Sequence, residues 1–214
     1  MKKIQFKIDE QDHQFLRTLR QRVNQYFKDH NIKKTGNAFS QMKAAFLLLV
    51  YVFIFVAIFF STNLWQVYLW YGLLGIVTIF VALNIAHDAA HSTFSNQAWV
   101  NQLFLYTFDF LGASGYMWKM KHVHSHHPHV NIPNMDGDIK QSNLVRIFPN
   151  APFLKFHKYQ YLYMPFLYAF YTLIWLCFRD FKDYFQTEIS GKPKIQHPWQ
   201  ELSLIHISEP TRPY

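Results

Sequence analysis

The chain has 214 residues, of which 50% are hydrophobic and 16% charged, and its formal net charge is +8 when the 12 histidines are counted as neutral. This composition is too apolar for a disordered protein, and a single cysteine, Cys177, excludes a disulfide scaffold and a cysteine-based zinc module. The mean hydropathy of -0.07 is that of a soluble protein, but it averages over segments of very different character.

Residues 1–43 form a basic segment that contains ten lysines or arginines. Its apolar residues recur at steps of three and four: Phe15, Leu16, Leu19, Val23, Tyr26 and Phe27. This spacing predicts a basic amphipathic helix. Such a helix either lies on an anionic membrane surface or stays solvated while it packs on its own protein, and the sequence leaves both alternatives open.

Residues 44–86 predict a transmembrane helical hairpin. The runs 44–60 and 64–86 contain no charged residue and are separated only by Ser61, Thr62 and Asn63. A helix of about 20 apolar residues crosses the roughly 30 Å hydrocarbon core of a bilayer. We therefore expect an all-α membrane protein in which this hairpin supports a His-rich helical portion.

The distribution of basic residues predicts the orientation of the hairpin. Ten basic residues precede residue 44, none lies in 44–86, and six follow between residues 119 and 158. Because lysine and arginine collect on the cytoplasmic side, the N-terminus and the region from residue 87 onward are expected to be cytoplasmic. This placement explains the basic balance without nucleic acid as a partner.

Histidines follow the second apolar run in two clusters. His87 and His91 stand four residues apart, as do His122 and His126, and His127 is adjacent. On a helix, residues at this spacing share one face and can bind one metal ion. Pro128 is expected to end the helix that carries the second histidine cluster at His127. The alternative, histidines that only cap helices or lie among lipid headgroups, requires both spacings to be coincidental.

The composition around these histidines predicts a nitrogen-rich metal site. The region 87–160 contains four acidic residues, and glutamate is absent between residues 11 and 187. Imidazole is a good ligand for iron, copper, zinc and nickel. A soluble di-iron bundle, which needs several glutamates, is therefore excluded as the source of such a site.

Two later apolar segments are less clear as spans. Residues 98–117 lie between the two histidine clusters and contain Asp109. Two clusters that share a metal must lie on one side of the membrane, so the segment between them crosses an even number of times. About twenty residues cannot cross a bilayer twice, so this segment is expected to be interfacial or a shallow re-entrant element. Residues 161–178 contain Pro165 and are either a span or an interfacial helix.

The sequence thus divides into six predicted segments: a basic amphipathic segment (1–43), a transmembrane hairpin (44–86), a cytoplasmic histidine-box region (87–160), an apolar span or interfacial helix (161–178), a polar segment (179–202) and a tail (203–214).

The histidine motifs resemble those of the membrane fatty acid desaturases, in particular the acyl-CoA or acyl-lipid branch with linoleoyl-CoA and front-end members. The sequence HDAAH at 87–91 resembles the first histidine box, and WKMKHVHSHHPHVNI at 118–132 resembles the second. The stretches NIPNMDGDI at 131–139 and VRIFPNAPFLKFHKYQYLYMPFLY at 145–168 are similar to the Asp-rich stretch and the linker that family members carry after that box. The resemblance covers roughly residues 40–190.

The resemblance implies a fatty acid desaturase, an O₂-dependent oxidoreductase that removes two hydrogens from adjacent methylenes at a centre of two iron ions. It implies no catalytic residues beyond that metal centre, and a fatty acyl-CoA or acyl-lipid as substrate. It also implies a separate electron donor, ferredoxin or cytochrome b5. The implied iron ligands are His87, His91, His122, His126 and His127.

Other histidines match the family pattern less well or not at all. His124 and His129 fall outside the boxes, and His157 is expected to support a ligand or to be structural. Family members carry a third box far downstream, whereas His197 and His206 each lack a paired histidine. We therefore expect an N-terminal fragment with an incomplete two-iron site that is inactive alone. Residues 203–214 are expected to be a non-native tail, with a natural polar tail as the alternative.

Two alternative functions remain open on the sequence. A membrane di-iron hydroxylase of the same superfamily would carry the same boxes. A transition-metal carrier would place polar residues or histidines within its spans, because the ion must cross the membrane. Residues 44–86 contain only Asn63, Gln66 and Asn84, near the ends of the spans, which favours the desaturase.

Overall fold

A computed structural model describes residues 9–132, 135–139, 143–186, 188–189 and 192–193. The described chain is helical apart from an antiparallel pair of two-residue strands, β1 (Glu188–Ile189) and β2 (Lys192–Pro193). The predicted tail, His197 and His206 lie outside the described residues. The α-helices are α1 (Glu10–Asp29), α2 (Ala38–Phe59), α3 (Leu64–Val81), α4 (His87–Ala90), α5 (Ala98–Leu105), α6 (Thr107–Phe110), α7 (Gly115–Lys121), α8 (Gln160–Ile174) and α9 (Asp180–Tyr184).

Within the described residues, three π-helical turns and two 3₁₀ turns adjoin these helices. The π turns are Ala82–Ala86, His122–His126 and Trp175–Arg179, and the 3₁₀ turns are His127–His129 and Lys155–Tyr159. A π turn has i→i+5 hydrogen bonds, so it widens a helix without ending it. As a result, α3 continues through Ala82–Ala86 into α4.

The predicted hairpin is confirmed as two helices that are long and apolar enough to cross a membrane, Ala38–Phe59 and Leu64–Ala90. Asparagine side chains cap both helices, because Asn37 accepts from the Ser40 N–H and Asn63 from the Gln66 N–H, each at 3.0 Å. The first helix begins earlier than the apolar run and includes Lys43. The Lys43 Nζ donates to Asn84 Oδ1 at 2.9 Å, which ties the two helices together at the histidine end of the hairpin.

Residues 98–117 do not form a candidate span. They fold into α5, α6 and the start of α7, which are too short to cross a bilayer. The left-handed backbone of Gly112, with φ of 94°, accommodates the turn between α6 and α7. These short helices agree with the expectation that the segment does not cross, and its interfacial position stays a prediction.

The C-terminal apolar segment remains open between the two predicted alternatives. Lys155–Ile174 and Cys177–Tyr184 qualify as one span only when taken together, and they are bent by 55° at the break between them. Pro165 lies inside α8. This geometry is that of a broken span or of a re-entrant element, and it does not decide between the predicted span and the predicted interfacial helix.

The helix α1 is stabilised at its start by a capping box between Asp9 and Asp12. None of its residues is buried, and Phe15 and Tyr26 on its apolar face are 66% and 54% exposed. The amphipathic helix is therefore present as predicted, and its placement on a membrane surface stays a prediction.

The main hydrophobic core lies at the histidine end of the hairpin. Its buried members come from both hairpin helices and from the 94–113 segment: Ala44, Val81, Ile85, Ala86, Ala89, Ala90, Phe94, Leu105, Phe108 and Ala113. The alanines let the helices approach closely, which fixes the position of α4. The loop between α1 and α2 is joined to this core, because the Gly36 N–H donates to the Thr93 carbonyl at 2.7 Å.

Candidate metal centre

The first histidine box lies at the end of the second hairpin helix. His87 begins α4 and His91 follows its last residue, so the two rings project from one face with their centroids 4.7 Å apart. The shared face predicted from the four-residue spacing is therefore present. The neighbouring Ala89 and Ala90 are buried in the hydrophobic core and hold this face in place.

The second box differs from the expected α-helix. Residues His122–His126 form a π turn, in which the His127 N–H donates to the His122 carbonyl. A residue at i+5 then lies over residue i, so both His126 and His127 are adjacent to His122. The expected end of the helix at Pro128 takes the form of the 3₁₀ turn His127–His129. The sequence predicted the residues of the box but not this turn.

The two boxes meet in one cluster. The His127 Nε2 lies 3.2 Å from the His91 Nε2 and 3.2 Å from the His122 Nε2. The potential ligand atoms of His87, His91 and His122 all lie within 4.8 Å of one another. Those of His122, His126 and Asp138 form a second such group, so the two groups share His122. All five predicted ligands are thus brought together.

Two carboxylates orient the rings of the second box. Asp138 Oδ2 lies 2.9 Å from His122 Nδ1, and Asp136 Oδ1 lies 2.8 Å from His126 Nδ1. Because an ionised carboxylate only accepts, Nδ1 is the donor in each pair, and Nε2 is the ring nitrogen that remains available to a metal. Carboxylates fix ring orientation and tautomer in this way at many histidine metal sites. In the first box, Asp88 Oδ1 is 3.5 Å from His87 Nδ1.

Asp136 is itself held by the backbone. Its oxygens accept from the N–H groups of Asn131 and Asp138, each at 2.9 Å. Burial raises the pKa of Asp136, but the hydrogen bonds from His126 and these two N–H groups outweigh it and leave the pKa below its usual value. Asp136 is therefore ionised at neutral pH.

The histidines at the centre of the cluster are disposed to be neutral. Burial lowers the pKa of His91, and the nearby imidazoles lower it further. Burial also lowers the pKa of His122, and together with the nearby His127 and His87 it outweighs the opposite effect of Asp138. Neutral imidazole is the form that binds a metal.

An aromatic wall covers one side of the cluster. Trp118 stacks on His122 with ring centroids 4.3 Å apart, and its other neighbours are His87 at 5.6 Å and Phe108 at 4.6 Å. Sequence reasoning missed this contact, as it missed the roles of Asp136 and Asp138. The position of Trp118 four residues before His122 is a signal that could have revealed the stacking.

The remaining described histidines near the boxes lie outside the two ligand groups. His124 is exposed, and His129 Nδ1 lies 3.0 Å from the Ser125 carbonyl. His157 is buried, its Nδ1 accepts from the Leu154 N–H at 3.1 Å, and its Nε2 lies 2.9 Å from the Asn143 carbonyl. Both nitrogens of His157 are used by the backbone, so the structural alternative holds for this residue.

The donor set fits a transition metal that accepts nitrogen ligands. The Nε2 atoms of His91, His122 and His127 converge, and a single N–H cannot satisfy all of their contacts at once. A bound cation would accept these lone pairs together. Imidazole with nearby carboxylates suits iron, copper, zinc or nickel.

Comparison with known proteins adds an independent observation. The family described as fatty acid desaturase matches residues 63–207. The chain is 34% identical to the sn-1 linoleoyl-lipid 6-desaturase of Arthrospira platensis, over 75% of this chain and 44% of that protein. It is 28% identical to the Synechocystis protein of the same name, over 77% of this chain and 46% of that protein. No solved structure matches the chain.

A third relative has a related name and a different source. The chain is 30% identical to the acyl-lipid (8-3)-desaturase of Physcomitrium patens, over 87% of this chain and 39% of that protein. The chain thus spans less than half the length of each of these three relatives. The matched part contains both histidine boxes.

Proposed function

Since the chain belongs to the fatty acid desaturase family, we propose that its histidine cluster holds iron and serves the O₂-dependent desaturation of a fatty acyl chain. The observation that carries this proposal is the convergence of both boxes. Residues separated by more than thirty positions, His91 and His127, bring their Nε2 atoms to 3.2 Å. Histidines that only capped helices would not be expected to bring their ring nitrogens together.

The proposed ligands are the five histidines of the two boxes, His87, His91, His122, His126 and His127. Two groups of potential ligand atoms adjoin at His122, which supports a centre of two neighbouring ions. Because His122 has one free lone pair, it serves as a ligand to one of them. Iron, when bound, supplies the activation of O₂ and the oxidation of the acyl chain. Asp136 and Asp138 keep the Nδ1 protons of His126 and His122 in place, which leaves the Nε2 lone pairs of both rings available to a metal.

The chain surrounds this centre with apolar structure on the hairpin side. Trp118 covers one face of the His122 ring. The core of α4, α5 and α6 lies beneath the first box. An acyl chain partitions into the lipid around the hairpin, so a centre at the end of these helices can be reached from the membrane.

The substrate and partners form part of the same proposal. The names of the relatives point to an acyl chain carried on a lipid, with acyl-CoA as the alternative carrier. The reaction requires O₂ and electrons from a separate donor, ferredoxin or cytochrome b5. We place the N-terminus and both histidine boxes on the cytoplasmic side, on the basis of the basic flanks.

The first test is metal binding by the purified chain in detergent micelles. Fe²⁺ added without oxygen is expected to bind tightly to the wild-type chain and much more weakly when His91 is replaced by alanine. His13→Ala, on the exposed helix α1, is the control and should bind as the wild type does. Equal Fe²⁺ binding by all three proteins would contradict the proposed centre.

The second test concerns the reaction. The chain can replace the matching region of the Arthrospira platensis desaturase, and membranes containing this chimera can be supplied with linoleoyl lipid. A new double bond that is lost with His126→Ala would support desaturation. A hydroxylated chain without a new double bond would favour the hydroxylase alternative, and transport of iron without acyl oxidation would favour the carrier.

A further inference from the structure

A lysine at the start of the second box is buried with two carboxylates. Lys121 directly precedes His122 and is only 5% exposed. Its Nζ lies 2.9 Å from Asp180 Oδ1 and 3.1 Å from Asp183 Oδ2. A buried ammonium is costly unless it is paired and hydrogen-bonded, and here the pairing comes from α9, about sixty residues further along the chain.

Asp180 joins both ends of the helix that carries the second box. Its Oδ2 accepts from the Ser114 N–H at 3.0 Å, at the start of α7, and its Oδ1 contacts Lys121 at the end. The Trp175 Nε1–H donates to the same Oδ1 at 2.9 Å. With 1% of its surface exposed, this carboxylate fixes α7 relative to the segment after α8.

Arg179 completes the charge balance and reaches the other side of the box. Its Nε lies 3.7 Å from Asp183 Oδ2, so two cations and two carboxylates form a neutral group. Its Nη2 donates to the Gly137 carbonyl at 3.0 Å. Gly137 separates Asp136 and Asp138, the two carboxylates that orient His126 and His122.

The four residues therefore touch the second box from two directions. Lys121 holds the helix that leads into the π turn, and Arg179 holds the loop whose carboxylates face it. We propose that Lys121, Arg179, Asp180 and Asp183, here called the ionic brace, position the ligands of the second histidine box. This inference rests on the proposed function, since it assumes that these histidines bind a metal. The brace residues are positioning residues and are not ligands.

A purely structural role is the alternative to this proposal. In that case, loss of the brace lowers the stability of the protein but leaves the geometry of the metal centre unchanged once the protein is folded. The two roles differ in the electronic spectrum of a bound metal, because that spectrum reports the arrangement of the ligands. The test must therefore measure metal geometry as well as stability.

The experiment titrates the full 214-residue chain in detergent micelles with Co²⁺ and records its visible absorption. Lys121→Met is expected to weaken Co²⁺ binding by about tenfold or more and to shift the absorption bands at saturating metal. Loss of a group that holds a metal ligand in place commonly has an effect of this size. Lys119→Met, on the same helix but without a place in the brace, is the control. Lys121→Arg keeps the charge and should largely restore the wild-type spectrum.

A second variant keeps the test informative if Lys121→Met does not fold. Arg179→Gln removes the contact with the Gly137 carbonyl and leaves the pairing of Lys121 with Asp180 intact. We expect a smaller loss of Co²⁺ affinity with the same shift of the bands. The helix content of each variant is measured by circular dichroism, and all variants are compared at a temperature at which their helix contents are equal.

The outcomes separate the brace from the proposed function. If the wild type does not bind Co²⁺, the proposed metal centre itself fails. If the wild type binds Co²⁺ and the folded brace variants show the wild-type affinity and spectrum, the centre stands and the brace proposal is overturned. A shifted spectrum in folded Arg179→Gln that Lys119→Met does not show supports the positioning role.

Discussion

The two histidine boxes are held by different kinds of interaction, although their side chains meet in one cluster. The first box continues a candidate membrane helix and is surrounded by buried alanines, with Asp88 Oδ1 no closer than 3.5 Å to His87 Nδ1. The second box lies in a π turn and is held by Asp136, Asp138 and the ionic brace. Apolar packing therefore positions one half of the centre, and hydrogen bonds and ion pairs position the other.

This difference teaches which substitutions should affect which half. Apolar packing depends on side-chain volume, because cavities and overpacked contacts are both destabilising. A polar network depends on each partner, because a buried group that loses its partner costs more than the hydrogen bond contributed. The two halves should consequently respond to different variants.

The largest effect is expected from a histidine at the centre of the cluster. His122→Ala removes an Nε2 donor and also the ring that Asp138 orients, so metal affinity should fall by more than the roughly 100-fold that is lost when a hydrogen-bonding partner of a ligand is removed. Isothermal titration with Fe²⁺ under anaerobic conditions measures this loss. His129→Ala, whose ring faces the Ser125 carbonyl, should bind Fe²⁺ as the wild type does.

A smaller effect is expected from the carboxylate beneath His126. Both Asp136 oxygens accept hydrogen bonds, so Asp136→Asn must turn its NH₂ group toward a donor. We expect Fe²⁺ affinity to fall by about 10–100-fold.

The matched control for this carboxylate lies in the first box. The Asp88 side chain is 44% exposed, and Asp88→Asn should have little effect on Fe²⁺ affinity. Equal losses for Asp136→Asn and Asp88→Asn, measured by the same titration, would remove the distinction between the boxes.

The packing side of the comparison can be tested at Gly36. A Cβ at this position would lie 2.8 Å from the Phe94 carbonyl oxygen, next to the first box. Gly36→Ala should destabilise the protein by about 1–3 kcal/mol, as overpacking does elsewhere. Thermal unfolding followed by circular dichroism measures this change.

Gly75 supplies the control for Gly36. A Cβ at Gly75 meets nothing within 4 Å, so Gly75→Ala in the middle of α3 should leave stability unchanged or raise it slightly. Equal unfolding temperatures for Gly36→Ala and Gly75→Ala would contradict the close contact between Gly36, in the loop between α1 and α2, and the Phe94 carbonyl.

Part of this architecture follows from local features of the sequence. The hairpin is predictable because long uncharged runs have few alternatives to membrane helices, and the face shared by His87 and His91 follows from helical spacing. The histidines that meet in the cluster could also be named, since the motifs contain them.

The rest depends on contacts that local patterns do not contain. The π turn at His122–His126 changes which residues share a face, and an α-helical period cannot reveal it. The pairing of Lys121 with Asp180 joins residues far apart in the chain, so the polar segment after residue 178 gave no indication of its partner. The hydrogen bonds of Asp136 and Asp138 depend on a loop that folds back on the box.

X-ray absorption at the iron K-edge of the iron-loaded chain tests the nitrogen-rich centre most directly. We expect a ligand shell dominated by imidazole nitrogen, with the multiple scattering that imidazole rings produce, and a weaker imidazole signal in His122→Ala. A shell dominated by oxygen, or a spectrum that His122→Ala leaves unchanged, would contradict the account.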